Sequence, residues 1–231
     1  MKNRYTSGDY LEKNPDWHEK DSAWKARQIK KILDRNHLSP SSVCEVGCGA
    51  GLVLASMQNL LGADVQFTGY DISPQAIERA QTRANNHLTF FCDDVLINKP
   101  EPTDALLLID LIEHLEDYFS FLRAMKPMSI YKILHIPLDL SVQSVARMKP
   151  ILNQHSQVGH LHYFAKETAL LTLKDTGYEV IDAFYTGATI DLPAQSFKSR
   201  LMRLPRKLLF AANQDLAVRY LGGYSLLILV K

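Results

Sequence analysis

From residue 42 onward, short apolar or β-branched runs alternate with segments whose apolar positions recur at helical spacing. SVCEVG is followed by LVLASMQNLL and VQFTGYD by PQAIERAQTRANN; then come LTFFC, a loop, DALLLID, EHLEDYFSFLRAM and YKILHIP. Runs that are almost continuously apolar suit strands buried on both faces, and a helix after each predicts a parallel sheet covered on both sides. Ser73-Pro74 supplies an N-cap with proline at the first helical position, and Gly177 stands where a C-cap glycine belongs. Ahead of the first strand, SAWKARQIKKIL places Ile29, Ile32 and Leu33 on one helical face. At the other end, YEVIDAFYT and YSLLILVK read as two strands about 38 residues apart, with a basic helical stretch between them. The pattern predicts an α/β doubly wound sheet in a single domain over 1–231. Residues 1–40 form an N-terminal helical lid and 187–222 a basic helical insertion between the last two strands.

Composition narrows the partners. With 231 residues, 46% hydrophobic and 22% charged, the chain is long enough to bury a core unaided. A net charge of +1 provides no global field toward nucleic acid. The three cysteines, Cys44, Cys48 and Cys92, fall in apolar runs and read as reduced thiols. No apolar leader and no run of about 18 apolar residues is present, so the expected location is the cytoplasm.

The chemistry concentrates in VCEVGCGAGL. Three glycines within five residues, directly after an apolar run, mean that something must approach the backbone closely. In an open parallel sheet this loop lies at the carboxyl end of the first strand, where ligands sit. A dinucleotide fingerprint needs a glycine at the sixth position, but counting from Gly47 gives Leu52 and from Gly49 gives Leu54. A nicotinamide-dependent oxidoreductase is disfavoured on that ground. No Gly-Lys-Ser/Thr follows either, so the loop is not a phosphate loop. The second strand ends in Asp71, 20 residues beyond Gly51, where a carboxylate can accept from ribose hydroxyls or merely cap the turn before Ser73.

Glu45, Gly47, Gly49 and Gly51, with Asp71, resemble the first motifs of class I S-adenosylmethionine-dependent methyltransferases. The resemblance implies a Rossmann-like fold of seven strands, mostly parallel with an antiparallel last strand. It also implies S-adenosyl-L-methionine as cofactor and S-adenosyl-L-homocysteine as product. Glu45 would lie near the cofactor's ammonium group, Gly47, Cys48, Gly49 and Gly51 along its amino-acid and ribose parts, and Asp71 and Ile72 at the ribose. FFCDDV would place Asp94, or its neighbour Asp93, at the adenine amino group beside Val95. LLLIDLIEHLED is similar to the family's later motif, so Ile109 and Asp110 would close over the cofactor while Glu113 and His114 start the next helix. VGHLHYFAKETALL matches a further segment, with Ala165 where the family has a serine or threonine cap.

The acceptor is less defined. Candidate bases are His114, His160 and Asp139, with His135 and His162 also near strand ends; Asp139 and His160 flank a long loop, Pro137 to Phe164. His160 and His162 lack a third ligand in pattern, so no metal site is expected. Tyr10, Trp17, His18, Trp24 and Lys25 either form a lid over the cofactor or serve ordinary helix packing. In the insertion, Lys198, Arg200, Arg203, Arg206 and Lys207 interleave with Leu201, Met202, Leu204, Leu208, Leu209 and Phe210. Three readings stand for 198–210: peripheral contact with an anionic membrane, binding of an anionic acceptor, or a core-facing helix with a solvated edge. The expected activity is methyl transfer to a small-molecule, lipid or glycan-type acceptor, without nucleic-acid partners. The competing reading is a non-catalytic cofactor-binding regulatory or assembly subunit.

Overall fold

The structure, a computed structural model, describes residues 19–62, 64–193 and 197–231. Tyr10, Trp17 and His18 therefore lie outside the described residues, as does the side chain of Lys198. Among the described residues, the strands β1 (Ser42–Val46), β2 (Gln66–Asp71), β3 (Leu88–Cys92), β4 (Thr103–Ile109), β5 (Ser129–Pro137), β6 (Val180–Thr186) and β7 (Ser225–Val230) form one sheet. Its order is β3-β2-β1-β4-β5-β7-β6. β1 to β5 pair in parallel, whereas β7 runs antiparallel to both β5 and β6. The expected doubly wound, Rossmann-like sheet with an antiparallel last strand is what the chain forms.

The all-apolar strands are explained by a core on each face. In β4, Ala105, Leu107 and Ile109 join one cluster, and Leu106 and Leu108 the other. The first cluster is covered by α1 (Ser22–Arg35), α2 (Leu52–Leu61) and α3 (Pro74–Gln81), through Ile29, Ile32, Leu33, Leu54, Met57 and Ile77. Over the second lie α4 (Tyr118–Met125) and α7 (Lys166–Asp175), through Leu122, Met125 and Leu173. Ser73 caps α3 by accepting from the Ala76 N–H. Gly177, at φ +85°, ends α7 in a Schellman arrangement in which Tyr178 N–H reaches the Leu173 carbonyl. Ala165 offers no side-chain cap; Thr168 Oγ1 instead accepts from the Ala165 N–H, and α7 starts at Lys166 regardless.

Three segments differ from the sequence expectation. Glu113 and His114 do not start a helix; they occupy a 3-10 turn, Ile112–His114, after which Leu115 is extended and Asp117 caps α4. Pro137 to Phe164 is largely helical, with α5 (Val142–Arg147), α6 (Lys149–Asn153) and a π-turn, Gln154–Val158. Ser141 and Ser144 form a reciprocal capping box at α5, and Pro150 lies in the first turn of α6. The insertion contains α8 (Ala188–Asp191), α9 (Phe197–Ala212) and α10 (Gln214–Leu221), with α9 carrying Pro205 inside it. Within it Arg203 donates to the Ile190 and Asp191 carbonyls and Arg206 to that of Leu221. Leu201, Leu204 and Leu208 are exposed. No described helix is long and apolar enough to cross a membrane.

Candidate functional site

The carboxyl ends of β1 to β5 open on a cavity of about 830 Å³. It sits beside β1, where the winding reverses between β2 and β4, the position at which open α/β sheets bind ligands. The glycine loop forms one wall. Gly47, Gly49 and Gly51 all adopt positive φ, +76°, +54° and +78°, which L side chains rarely take. They differ in what surrounds them. A Cβ on Gly51 would lie 2.5 Å from the Phe90 ring and one on Gly47 2.8 Å from Leu111 Cδ1, whereas at Gly49 nothing lies within 4 Å. Gly51 is therefore a packing glycine that does not line the cavity, and Gly49 leaves open space within it. Cys48 lines the cavity between them; its thiol is buried, and burial pushes its pKa upward.

Asp71 and Ile72 line the same wall. Asp71 Oδ2 accepts from the Gly49 N–H at 2.9 Å and Oδ1 from the Ser73 N–H at 2.8 Å. Turn capping and proximity to the site thus coexist in one side chain, and each oxygen retains a lone pair for a further donor. Glu45 is 2% exposed, and its Oε2 has no hydrogen-bond partner among the described residues. Burial holds its carboxyl well above the usual range, against the opposing pull of Lys25. Asp93, Asp94 and Val95 follow β3 into the cavity. Asp93 is engaged by Asn98 Nδ2 and Asp94 Oδ1 by the Leu96 N–H.

β4 delivers Ile109 and Asp110. Asp110 has φ +50°, a left-handed conformation costing a non-glycine residue about 1–2 kcal/mol. Its carboxylate is clamped: Lys25 Nζ lies 2.8 Å from Oδ2, and His135 Nδ1–H donates to Oδ1 at 2.5 Å. Burial would raise its pKa, but His135 and Lys25 outweigh that and hold the carboxyl far below the carboxylate range. Lys25 in turn is held protonated, because Asp110 and Asp21 overcome the effect of its burial. His135 Nε2 meets the Thr186 hydroxyl at 2.8 Å, and Trp24 packs edge-on against its ring while donating to Asp191 Oδ2. α1 therefore does both things allowed by its sequence: Ile29, Ile32 and Leu33 pack in the core, and Trp24 and Lys25 wall the cavity.

At another part of the cavity stand Glu113, His114 and His160. The segment after the π-turn is strapped to the 3-10 turn: Leu161 and His162 N–H both donate to the Glu113 carbonyl. That bend separates the two histidines of the His-x-His pair. His160 lines the cavity, while His162 donates from Nε2 to the Leu115 carbonyl and packs against Tyr118. Asp139 does not line the cavity; it lies behind His160 and accepts from its Nδ1–H at 2.6 Å. Glu113 is fully buried, and among the described residues neither carboxyl oxygen has a hydrogen-bond partner, His114 Nε2 lying 4.0 Å from Oε1; burial together with the Asp110 charge raises its pKa well above the ordinary value. Lys25 as the clamp on Asp110, and Glu113 as a buried orphan, are the features sequence reasoning did not assign.

The methyltransferase domain family model matches residues 17–183. A ubiquinone biosynthesis O-methyltransferase of Chromobacterium violaceum is 30% identical over 120 residues, covering 47% of this chain and 50% of that protein. The mitochondrial enzyme of the same description from Schizosaccharomyces pombe is 32% identical over 105 residues, covering 41% and 37%. The chain thus spans half, or less, of these relatives' length. Among solved structures, magnesium protoporphyrin IX methyltransferase from Synechocystis with bound S-adenosylhomocysteine superposes with a TM-score of 0.60 at 17% identity, covering 90% of this chain and 82% of that one. With a seven-stranded sheet of class I methyltransferase topology and a family match over most of its length, the chain belongs to the methyltransferase domain family.

Proposed function

We propose that this chain transfers a methyl group from S-adenosylmethionine to a hydroxyl oxygen of a small-molecule acceptor. The observation that carries the reading is the convergence, in one cavity, of the Gly47–Gly51 loop, Asp71 and the unpartnered oxygen of Glu45. These groups fit the cofactor chemically. An ammonium group would give Glu45 the partner it lacks, Asp71 has acceptor capacity left for ribose hydroxyls, and Gly49 leaves room for a close approach. The O-acceptor is supported by the description of the curated relatives. We read the chain as one domain, since β7 lies between β5 and β6 in the same sheet.

When bound, the cofactor supplies a methyl group on a sulfonium whose departure leaves a neutral thioether. The chain's own task is to align the acceptor and keep water away. Trp24 and Lys25 close one side, and the Asp110–His135 pair fixes the wall between β4 and β5. His114 and His160 face the cavity, where an acceptor proton can be removed. Calorimetric titration with S-adenosylmethionine, S-adenosylhomocysteine and NADH, on the native protein and Asp71→Ala, tests the cofactor. Binding of the two sulfur nucleosides alone, lost in the variant, is expected; NADH binding, or none, refutes the reading. Release of S-adenosylhomocysteine with hydroxylated aromatic acceptors then separates turnover from a non-catalytic binding subunit.

A further inference from the structure

The cavity is charged out of proportion to the molecule. The chain carries a net charge of +1, yet among the described residues nine acidic side chains line the cavity against a single basic one, Lys25. That lysine is already engaged: its Nζ lies 2.8 Å from Asp110 Oδ2 and 3.1 Å from Asp21 Oδ2, so one ammonium is shared by two carboxylates. None of Arg200, Arg203, Arg206 and Lys207 lines the cavity; Arg203 and Arg206 donate to carbonyls inside the insertion instead. Among the described residues, then, no other lysine or arginine faces the cavity to hold a carboxylate or phosphate on the acceptor. The expectation that the basic segment 198–210 binds an anionic acceptor has no support in this geometry.

The cofactor accounts for only part of this wall. Glu45 and Asp71 face its ammonium and ribose in the reading above, and Asp93 and Asp94 stand at the end of β3, on the adenine side. The remaining carboxyls face the rest of the cavity. Asp21 Oδ1 is buried with no hydrogen-bond partner among the described residues, and the same holds for both oxygens of Glu113, which is 0% exposed. Glu116 and Asp117 continue the acidic wall beyond the 3-10 turn. A carboxyl buried without a partner is costly, and it gains most from a ligand that brings a donor or a positive charge. In a cleft lined by one sign of charge the low-dielectric walls focus the field, so these groups act together on whatever enters.

We propose that the cavity selects its acceptor by charge: it favours molecules that carry a protonated amine beside the reacting hydroxyl, takes neutral ones less well, and rejects those that carry a carboxylate or phosphate. An amine gives an unpartnered oxygen of Asp21 or Glu113 the donor it lacks, whereas an anionic group meets carboxyls, imidazoles and a lysine that two aspartates already hold. Coulomb's law sets the scale. One net negative charge about 10 Å from the ligand, at an effective dielectric of about 20, changes affinity roughly tenfold per unit of ligand charge. Cationic and anionic molecules of equal shape therefore differ about 100-fold. That the selected molecule is a methyl acceptor rests on the methyltransferase reading; the selection itself is a property of the cavity wall.

The test uses three phenols that differ in one substituent, aminomethyl, hydroxymethyl or carboxymethyl, titrated by calorimetry into the full chain with S-adenosylhomocysteine present. Turnover is measured separately, as release of S-adenosylhomocysteine from S-adenosylmethionine. Affinity should fall in the order given, with about 100-fold between the first and last phenol at low salt and about tenfold or less at about 1 M salt. Asp21→Asn and Glu113→Gln should each narrow the low-salt gap about threefold to tenfold, while Glu101→Gln, on an exposed residue outside the cavity, should leave it unchanged. Thermal melts confirm that the variants fold, and having two of them on separate elements keeps the test decisive if one does not. Equal affinity for the three phenols, preference for the carboxymethyl one, binding of none, or a gap that both cavity variants leave intact overturns the proposal. Binding in the expected order without release of S-adenosylhomocysteine would leave the selection standing and refute methyl transfer instead.

Discussion

Replacing Lys25 with methionine asks whether α1 is latched to the site by charge. Lys25 lies 2.8 Å from Asp110 and 3.1 Å from Asp21, and its side chain is 12% exposed against 27% for that of Asp110. Methionine retains most of the aliphatic bulk, so the loss is chiefly electrostatic. Removing one partner of a buried ion pair costs about 3–5 kcal/mol. Asp110 is partly exposed and keeps His135, so roughly half of that applies, about 1.5–2.5 kcal/mol. Asp110→Asn strands Lys25 beside Asp21 and should cost a similar amount. If the two residues act as one unit, the double variant should be more stable than the sum of the single losses predicts, by about 1–2 kcal/mol. Urea unfolding of the four proteins at neutral pH, with m unchanged, measures this. Additivity within about 0.5 kcal/mol would refute the latch. The pH dependence gives a second check. The Asp110 pKa is depressed in the folded state, so its stabilisation is present above the unfolded value of about 3.9 and is lost as pH falls toward the folded value. The gap between native protein and Lys25→Met should therefore be full at neutral pH and close only below about pH 4.

The two open questions in the glycine loop separate by variant. Gly51→Ala meets the Phe90 ring at 2.5 Å and a positive φ, so it should lose about 2–4 kcal/mol of stability in urea melts. Gly49→Ala meets nothing within 4 Å and should cost only the backbone conformation, about 1–2 kcal/mol, yet weaken S-adenosylmethionine in calorimetry because its methyl group occupies open cavity space. A Gly51→Ala variant as stable as native would refute the packing role. Asp71→Asn keeps one acceptor oxygen for the Gly49 or Ser73 N–H, so stability should fall by about 1–2 kcal/mol while cofactor affinity drops by roughly tenfold or more. Glu113 has a raised pKa, so it opposes folding increasingly as pH rises above its unfolded value of about 4.3. Glu113→Gln should therefore be the more stable protein at pH 7 and the less pH-dependent one; a steeper dependence than native would contradict the assignment.

What could be read from the chain was what depends on neighbours in sequence. The glycine loop, its acidic flank and Asp71 lie within 27 residues, and each position follows from a strand end and the turn after it. The count of seven strands and the antiparallel β7 came with the resemblance carried by those motifs, whereas the strand order came from the structure. The clamp on Asp110 was not legible, because Lys25 and His135 lie 85 residues before it and 25 after it; the pairing of β4 with β5 brings His135 beside it, and the packing of α1 against the sheet brings Lys25. Glu113 was misplaced for a local reason. EHLEDYFSFLRAM has helix-forming composition, but Asp117 competes as an N-cap and Leu115 goes extended, which leaves the 3-10 turn on its own. In Pro137 to Phe164 the signals were present and went unused: Ser141 with Ser144 caps one helix and Pro150 opens the next. His160 and His162 show why a motif needs its backbone. Two residues apart, they would share a face in an extended strand, yet both Leu161 and His162 donate to one carbonyl, that of Glu113. That bend sends His162 away to Leu115 and leaves His160 facing Glu113 and His114, which lie 47 and 46 residues upstream in the 3-10 turn.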